Sequence, residues 1–291
     1  MTRWIAGEAT ALPARRRNLL GGMLGLLALP GLVSAARATE TTLAIGGNGG
    51  AAGTMRDLAR AFIVRRPDVA FRFLPNLGSG GGIAAVLAGA ASLAHSGRPL
   101  SPREQQAGAR ALPYGRTPLA LAVHPAVGVR DVTLAEAARI YAGENTAWPD
   151  GMPIRTIRRG LHETTIQALA AASPGMRLAV ERLQRRPGLL AAATDQENAQ
   201  ALETVHGAFG VIGLAQYLTE MRSIALLRLD GEPPEAAVDP GRRYPIWVEM
   251  ALVLPGTPTP AARDFVDFVF APVGRATLIA TGHEPIGRSA S

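Results

Sequence analysis

From Thr39 onward, short runs of β-like residues alternate with helical periods. Thr41 to Ile45 reads as a strand, and Met55, Leu58, Ala59 and Phe62 then recur at the three-and-four spacing that lines one face of a helix. Val69, Phe71 and Phe73 alternate as a second strand, and Ile83 to Leu87 opens a second helix. Leu119 to Val123 is more continuously apolar, as a strand covered on both faces would be. Thr133-Leu134-Ala135-Glu136 forms a capping box ahead of an apolar stripe of Leu134, Ala137, Ala138 and Tyr141, and Gly143 ends that helix. Further strands are expected at Ile154 to Ile157, Gly210 to Leu214, Ile224 to Leu229 and Trp247 to Leu254, with a closing helix introduced by Pro260. Gly231 to Pro245, which holds Pro233-Pro234 and Asp239-Pro240-Gly241, reads as a surface loop. The alternation predicts an α/β fold.

Composition adds size and compartment. The chain has 291 residues, 47% of them hydrophobic, enough for one large domain or two small ones. Of the formal charge of +7, a surplus of four belongs to the first 38 residues, where Arg3, Arg15, Arg16, Arg17 and Arg37 stand against Glu8. The remainder has no basic run interleaved with aromatics, so nucleic acid is not an expected partner. Every basic side chain is Arg, a compositional bias and not a binding signal. Arg15-Arg16-Arg17, an uncharged stretch from Leu19 to Val33, and the small-x-small pattern Ala36-Arg37-Ala38 read together as a cleavable export signal over residues 1–38. That stretch holds three glycines before Pro30 and is shorter than the roughly 20 apolar residues a spanning helix needs. Arg16-Arg17-Asn18-Leu19-Leu20 resembles a twin-arginine signal, and an ordinary secretory leader stands level with it. With no cysteine, the mature fold must stand on its core in an oxidising compartment.

Two glycine-rich segments sit where a strand gives way to a helix: Gly46 to Thr54 and Gly78 to Gly82. Glycine lets backbone approach a ligand, and the free N–H groups of a helix start carry the positive end of its dipole. Two such junctions at one sheet edge would converge on an anion. Either loop by itself is an ordinary bend. Enzyme chemistry finds less support. Gly47-x-Gly49-x-x-Ala52 matches a dinucleotide fingerprint, but the next strand ends in Leu74-Pro75-Asn76 with no acidic residue for a ribose. His162-Glu163-Thr164-Thr165-Ile166 lacks the second histidine of a zinc-protease helix, and the five histidines are scattered singly, so neither a metal nor a cofactor is expected. Ser79 lacks the glycine that a nucleophile elbow has two residues before the serine, Leu77 standing there, which leaves no catalytic constellation.

The order of motifs resembles the phosphate-binding proteins of ABC importers, with the type II periplasmic-binding-protein fold. Gly53-Thr54-Met55-Arg56-Asp57-Leu58 is similar to that family's first ligand loop, and Gly78 to Ile83 to its second. Ser96-Gly97-Arg98-Pro99-Leu100 resembles its Ser-Asp-Arg-Pro-Leu segment, and Arg158 followed by His162-Glu163-Thr164-Thr165 its Arg, three residues, then Ser-Gly-Thr-Thr. Gly207 to Leu214, Tyr244-Pro245-Ile246 and Gly282 to Ile286 follow in the family's order. The resemblance implies two lobes, residues 39–117 with 246–291 and residues 118–245, joined by a hinge crossed twice. It implies a ligand held by Thr54, Ser79, Gly80 and Gly81 from the first lobe, Arg158 and Thr164 from the second, and Ser96 from the crossing segment. Thr54 and Ser79 also read as N-caps, and Arg158 as a surface charge.

Two departures bear on the ligand. Gly97 stands where relatives place an Asp that accepts a hydrogen bond from a protonated phosphate oxygen, and His162-Glu163 replaces Ser-Gly. Glu163, at the start of its helix, is the nearest candidate to take over as acceptor, which would favour phosphate over sulfate; the alternative is that it complements the helix dipole and faces water. The expectation is thus an exported, monomeric, non-enzymatic solute-binding protein of the periplasm that hands a small anion to the membrane subunits of an ABC importer. A dinucleotide-dependent oxidoreductase and a ligand-free sensory module are the competing readings.

Overall fold

The computed structural model describes residues 41–75, 77–238 and 244–287; the expected export segment, Asn76 and the Asp239-Pro240-Gly241 turn lie outside them. Strand β1 (Thr41–Gly47) buries Leu43, Ala44 and Ile45, and a short 3₁₀ turn (Gly49–Ala51) leads into α1 (Ala52–Ile63). The stripe read from the sequence is the face that packs: Met55, Leu58, Ala59 and Phe62 are all buried. Strand β2 (Val69–Phe73) returns parallel to β1, and α2 (Gly78–Leu87) starts in the glycine run, five residues before the apolar signal that announced it. Then come β3 (Leu93–Ser96), α3 (Pro102–Gln106) and the 14-residue β4 (Arg110–Val123), of which only the apolar end was legible.

The chain continues through β5 (Asp131–Val132), α4 (Leu134–Ala142), β6 (Arg155–Thr156), α5 (Thr164–Ala171), α6 (Pro174–Arg185) and α7 (Asp195–Thr204). The capping box at Thr133 is present in full, and Gly143 closes α4 in the left-handed region. Strand β7 (Ala208–Gly213), α8 (Leu214–Glu220), β8 (Ala225–Leu226) and β9 (Arg228–Leu229) follow, then β10 (Trp247–Leu254), α9 (Pro260–Phe270), α10 (Pro272–Ala280) and β11 (Glu284–Pro285). The expected surface loop after Gly231 departs from its reading: it folds into a 3₁₀ helix over Pro234–Val238 that buries Pro234.

Among the described residues the main sheet runs β2-β1-β3-β10-β4-β7-β6, with β8 and β11 also on β4. Strand β4 changes partner along its length. It pairs antiparallel with β10 from Arg110 to Pro118 and with β7 from Leu119 to Val123. The boundary expected after Thr117 falls one residue before this change of partner, and the second expected boundary lies where the Leu119 amide donates to the Ile246 carbonyl, 2.9 Å away. On the β1 side, Phe62, Phe71 and Phe265 pack with ring centroids 5.0–6.0 Å apart, edge to face. Each such pair adds about 0.5–1.5 kcal/mol beyond area burial. On the β7 side, Tyr141 and Trp148 close over Phe209, and the Trp148 indole donates to the Gly207 carbonyl.

Candidate solute site

The start of α2 carries no side-chain cap, and Leu77, not Ser79, occupies the cap position. The glycines there serve close packing. A Cβ on Gly82 would stand 2.6 Å from the Cα of Gly47, so the two glycine-rich segments touch through their backbones. Ser79, one residue into the helix, is buried and uses its hydroxyl twice: Oγ accepts from the Gly97 amide at 3.1 Å and lies 3.4 Å from Oγ1 of Thr164. Thr164 is the first residue of α5, on the β7 side of the molecule. The N-terminal turns of α2 and α5 therefore meet, and both line one cavity of about 320 Å³. Leu77 to Gly81, Arg98, His162 to Thr164 and Ala193 to Asp195 line it. Gly80 and Gly81 line the same cavity as Ser79.

Gly97 has a steric reason. A Cβ there would lie 2.7 Å from Cγ2 of Thr164, so the Asp of the resembled pattern has no room while the two turns are in contact. The remaining expected residues distribute unevenly. Ser96 closes a local turn, its hydroxyl donating to the Arg98 carbonyl at 2.8 Å and accepting from the Arg98 amide, and it faces a different cavity of about 640 Å³. Thr54 sits in the first turn of α1, wholly buried, with Oγ1 lacking a hydrogen-bond partner. Arg158 spends its backbone bridging Ala191, and its half-buried side chain does not line the 320 Å³ cavity.

The neighbouring arginine takes the interior place. Arg159 is 1% exposed, and its Nη2 donates at 2.8 Å to both Glu163 Oε2 and Asp195 Oδ1. Its Nε and Nη1 are buried without a hydrogen-bond partner. Glu163, expected either to face the ligand or to face water, is turned toward Arg159, with His162 Nε2 3.2 Å from its other oxygen. Asp195 opens α7 behind a full capping box of Thr194 and Glu197, and its Oδ2 accepts from the Gly50 amide at 3.0 Å. Arg159 and Asp195 were missed by sequence reasoning. Thr194-Asp195-Gln196-Glu197 was a readable helix start, whereas nothing in the Arg158-Arg159 pair says which one turns inward.

At the cavity mouth Arg98 holds Glu104 through two hydrogen bonds of 2.7 and 2.9 Å, which bring the Glu104 carboxyl down to about 2. Of these side chains Arg98, Glu163 and Asp195 line the cavity, whereas Arg159 lies buried behind Glu163 and Asp195 and Glu104 behind Arg98. The arrangement can bind, but among the described residues no group of three metal-ligating side chains exists.

A mixed α/β sheet with a shared central strand and helix starts converging on one cavity defines a binding protein of the periplasmic type. The PBP superfamily domain matches residues 33–273, most of the chain, and the chain belongs to that superfamily. The fold is similar to that of a Clostridium perfringens protein described as a phosphate ABC transporter substrate-binding protein and solved with bound phosphate, at 21% identity, a TM-score of 0.71, and coverage of 84% of this chain and 100% of that one. A phosphate-binding protein from Stenotrophomonas maltophilia is similar at 14% identity and a TM-score of 0.62, covering 84% and 91%. The periplasmic molybdate-binding protein of Azotobacter vinelandii is similar at 17% identity and 0.58, covering 83% and 98%. At these identities the likeness is one of fold. No curated protein sequence matches the chain.

Proposed function

We propose that this chain is an exported solute-binding protein that captures a small oxyanion, phosphate foremost, in a cleft between two lobes and delivers it to the membrane subunits of an ABC importer. The observation that carries the reading is the contact of Ser79 with Thr164: two helix N-termini from opposite ends of the sheet meet at one polar cavity. Residues 39–117 with 246–291 form the first lobe and 118–245 the second, with β4 and the start of β10 as the crossings. Ser79, Gly80 and Gly81 supply donors from the first lobe and Thr164 from the second. Arg159 assumes the role expected of Arg158, because its buried and unpartnered Nε and Nη1 favour a charged acceptor nearby. Glu163 contributes acceptor capacity for a proton on the ligand. The proteins it resembles by fold are described as binding phosphate or molybdate, which agrees with a tetrahedral oxyanion. The protein acts as a monomer in the periplasm, reached through residues 1–38, and performs no catalysis.

Calorimetric titration of phosphate, sulfate and molybdate into residues 39–291 tests the reading. One-to-one binding of phosphate is expected, and Ser79→Ala should weaken it by about 1.5–3 kcal/mol, the worth of a hydrogen bond to a charged group. Trp247, stacked on Arg116 where β10 meets β4, is a natural fluorescence reporter of lobe movement. Silence toward all three anions, or a response to nicotinamide nucleotides instead, would reject it.

A further inference from the structure

Asp195 does something in this cleft that a solute would otherwise do. Its carboxylate stands between an amide of the first glycine-rich segment, Gly50, and the guanidinium of Arg159, accepting from one with each oxygen at 3.0 and 2.8 Å. Those are donors of the two kinds, backbone N–H and buried guanidinium, with which proteins hold oxyanions. One belongs to the segment ahead of α1 and the other to the β6–α5 connection. The tie is reinforced next door, where the Gln196 amide donates to the Gly49 carbonyl at 3.3 Å. It also divides space. On one side is the 320 Å³ cavity; on the other is a cavity of about 660 Å³ bounded by Gly46, Gly47, Arg56, Phe73 and His95, and Thr194 borders both.

We propose that Asp195 is an internal ligand: its carboxylate fastens the two lobes across the cleft and holds donors that a solute anion has to win. This rests on the two-lobe reading above. Being covalently attached, the carboxylate acts at a high effective concentration, so it closes the cleft cheaply and lowers the affinity of any free anion that uses the same donors. Its charge adds repulsion, since an incoming anion meets Asp195 and Glu163, whose shared Arg159 is buried behind them, and an Arg98 already paired with Glu104. A protein built this way binds its solute less tightly than its donor set alone would allow, and opens when the tie is cut.

The absence of cysteine makes the test direct, because Arg103→Cys on α3 and Arg177→Cys on α6, both exposed, accept a spin-label pair with no background. In the protein without added anion, Asp195→Ala should lengthen and broaden the distance distribution relative to the Asp195 parent, and Gln196→Ala should do so less. Unchanged distributions in Asp195→Ala overturn the tie. Phosphate and sulfate are then titrated into Asp195→Asn, which keeps the shape and removes the charge. Binding of both at least tenfold tighter is expected. Unchanged or weaker binding overturns the competition and would make Asp195 an acceptor for the ligand instead. If neither anion binds parent or variant, the oxyanion reading of the site fails, while the label distances still decide whether Asp195 ties the lobes.

Discussion

The two helix starts that meet at the cavity are built on opposite plans. The α2 turn is Gly78 to Gly82, with one hydroxyl and no charge. The β6–α5 connection and the start of α7 instead bring Arg159, Glu163 and Asp195, three charges paired through Nη2 of Arg159 alone, while its Nε and Nη1 have no hydrogen-bond partner. The first side depends on shape, since its backbone must lie against Gly47, while the second depends on a balance of desolvated charges that is costly to leave unpaired. Steric change should therefore damage the first side and charge change the second.

The largest expected effect breaks the charged side. Arg159→Met removes the shared partner of two largely buried carboxylates and should cost about 3–5 kcal/mol in urea unfolding, as breaking a buried pair does. Arg158→Met, one residue away, should stay within about 0.5 kcal/mol, the range of surface substitutions. Equal costs for the two would mean that the interior assignment of Arg159 is wrong.

The uncharged side carries a liability of its own in acid. His95, at the end of β3 and 2% exposed, is held down to about 3, first by burial and then by the charge of Arg56. Burial likewise holds His283 down to about 4. Both fold as neutral rings, so the unfolded chain binds more protons between the ordinary histidine value of about 6.5 and these lowered values. Stability should be complete above about pH 6.5 and fall as the pH drops toward 4, by an amount on the order of a few kcal/mol. Urea midpoints measured between pH 7.5 and 4 check the slope, and a flat profile through pH 6 to 4.5 would contradict the buried neutral state.

A smaller pair of changes sharpens the steric side. Gly97→Ala pushes a methyl against Thr164 and should cost about 1–3 kcal/mol through overpacking. Gly80→Ala, whose added carbon would meet only the flexible end of Arg98 at 3.6 Å, should be neutral or gain up to about 1 kcal/mol from helix propensity. Thermal melts of both variants decide it; if Gly80→Ala were the more damaging, the α2 turn would be constrained by something other than contact with its neighbours.

Local pattern determined a good deal of this protein by itself. Strands β2 and β10 begin and end where alternation and apolar run said, and the box at Thr133 caps α4, because side-chain periodicity and capping are settled within a few residues. The glycine segments announced a close backbone approach, which Gly47 and Gly82 make, since such an approach leaves a mark in sequence. Motif order announced the superfamily. Where the signal is non-local, the sequence was silent. The first nine residues of β4 are not continuously apolar, and they become a strand because β10 pairs with them. Arg158 and Arg159 are chemically identical, and only the packing of α5 and α7 selects the second for burial. Asp195 read as one more first-turn carboxylate, and it became a bridge because a glycine amide 145 residues earlier came within 3.0 Å of it. Electrostatic partners are chosen by the assembled fold, since a charge is satisfied by whatever lies within a few ångströms and the chain does not record that distance.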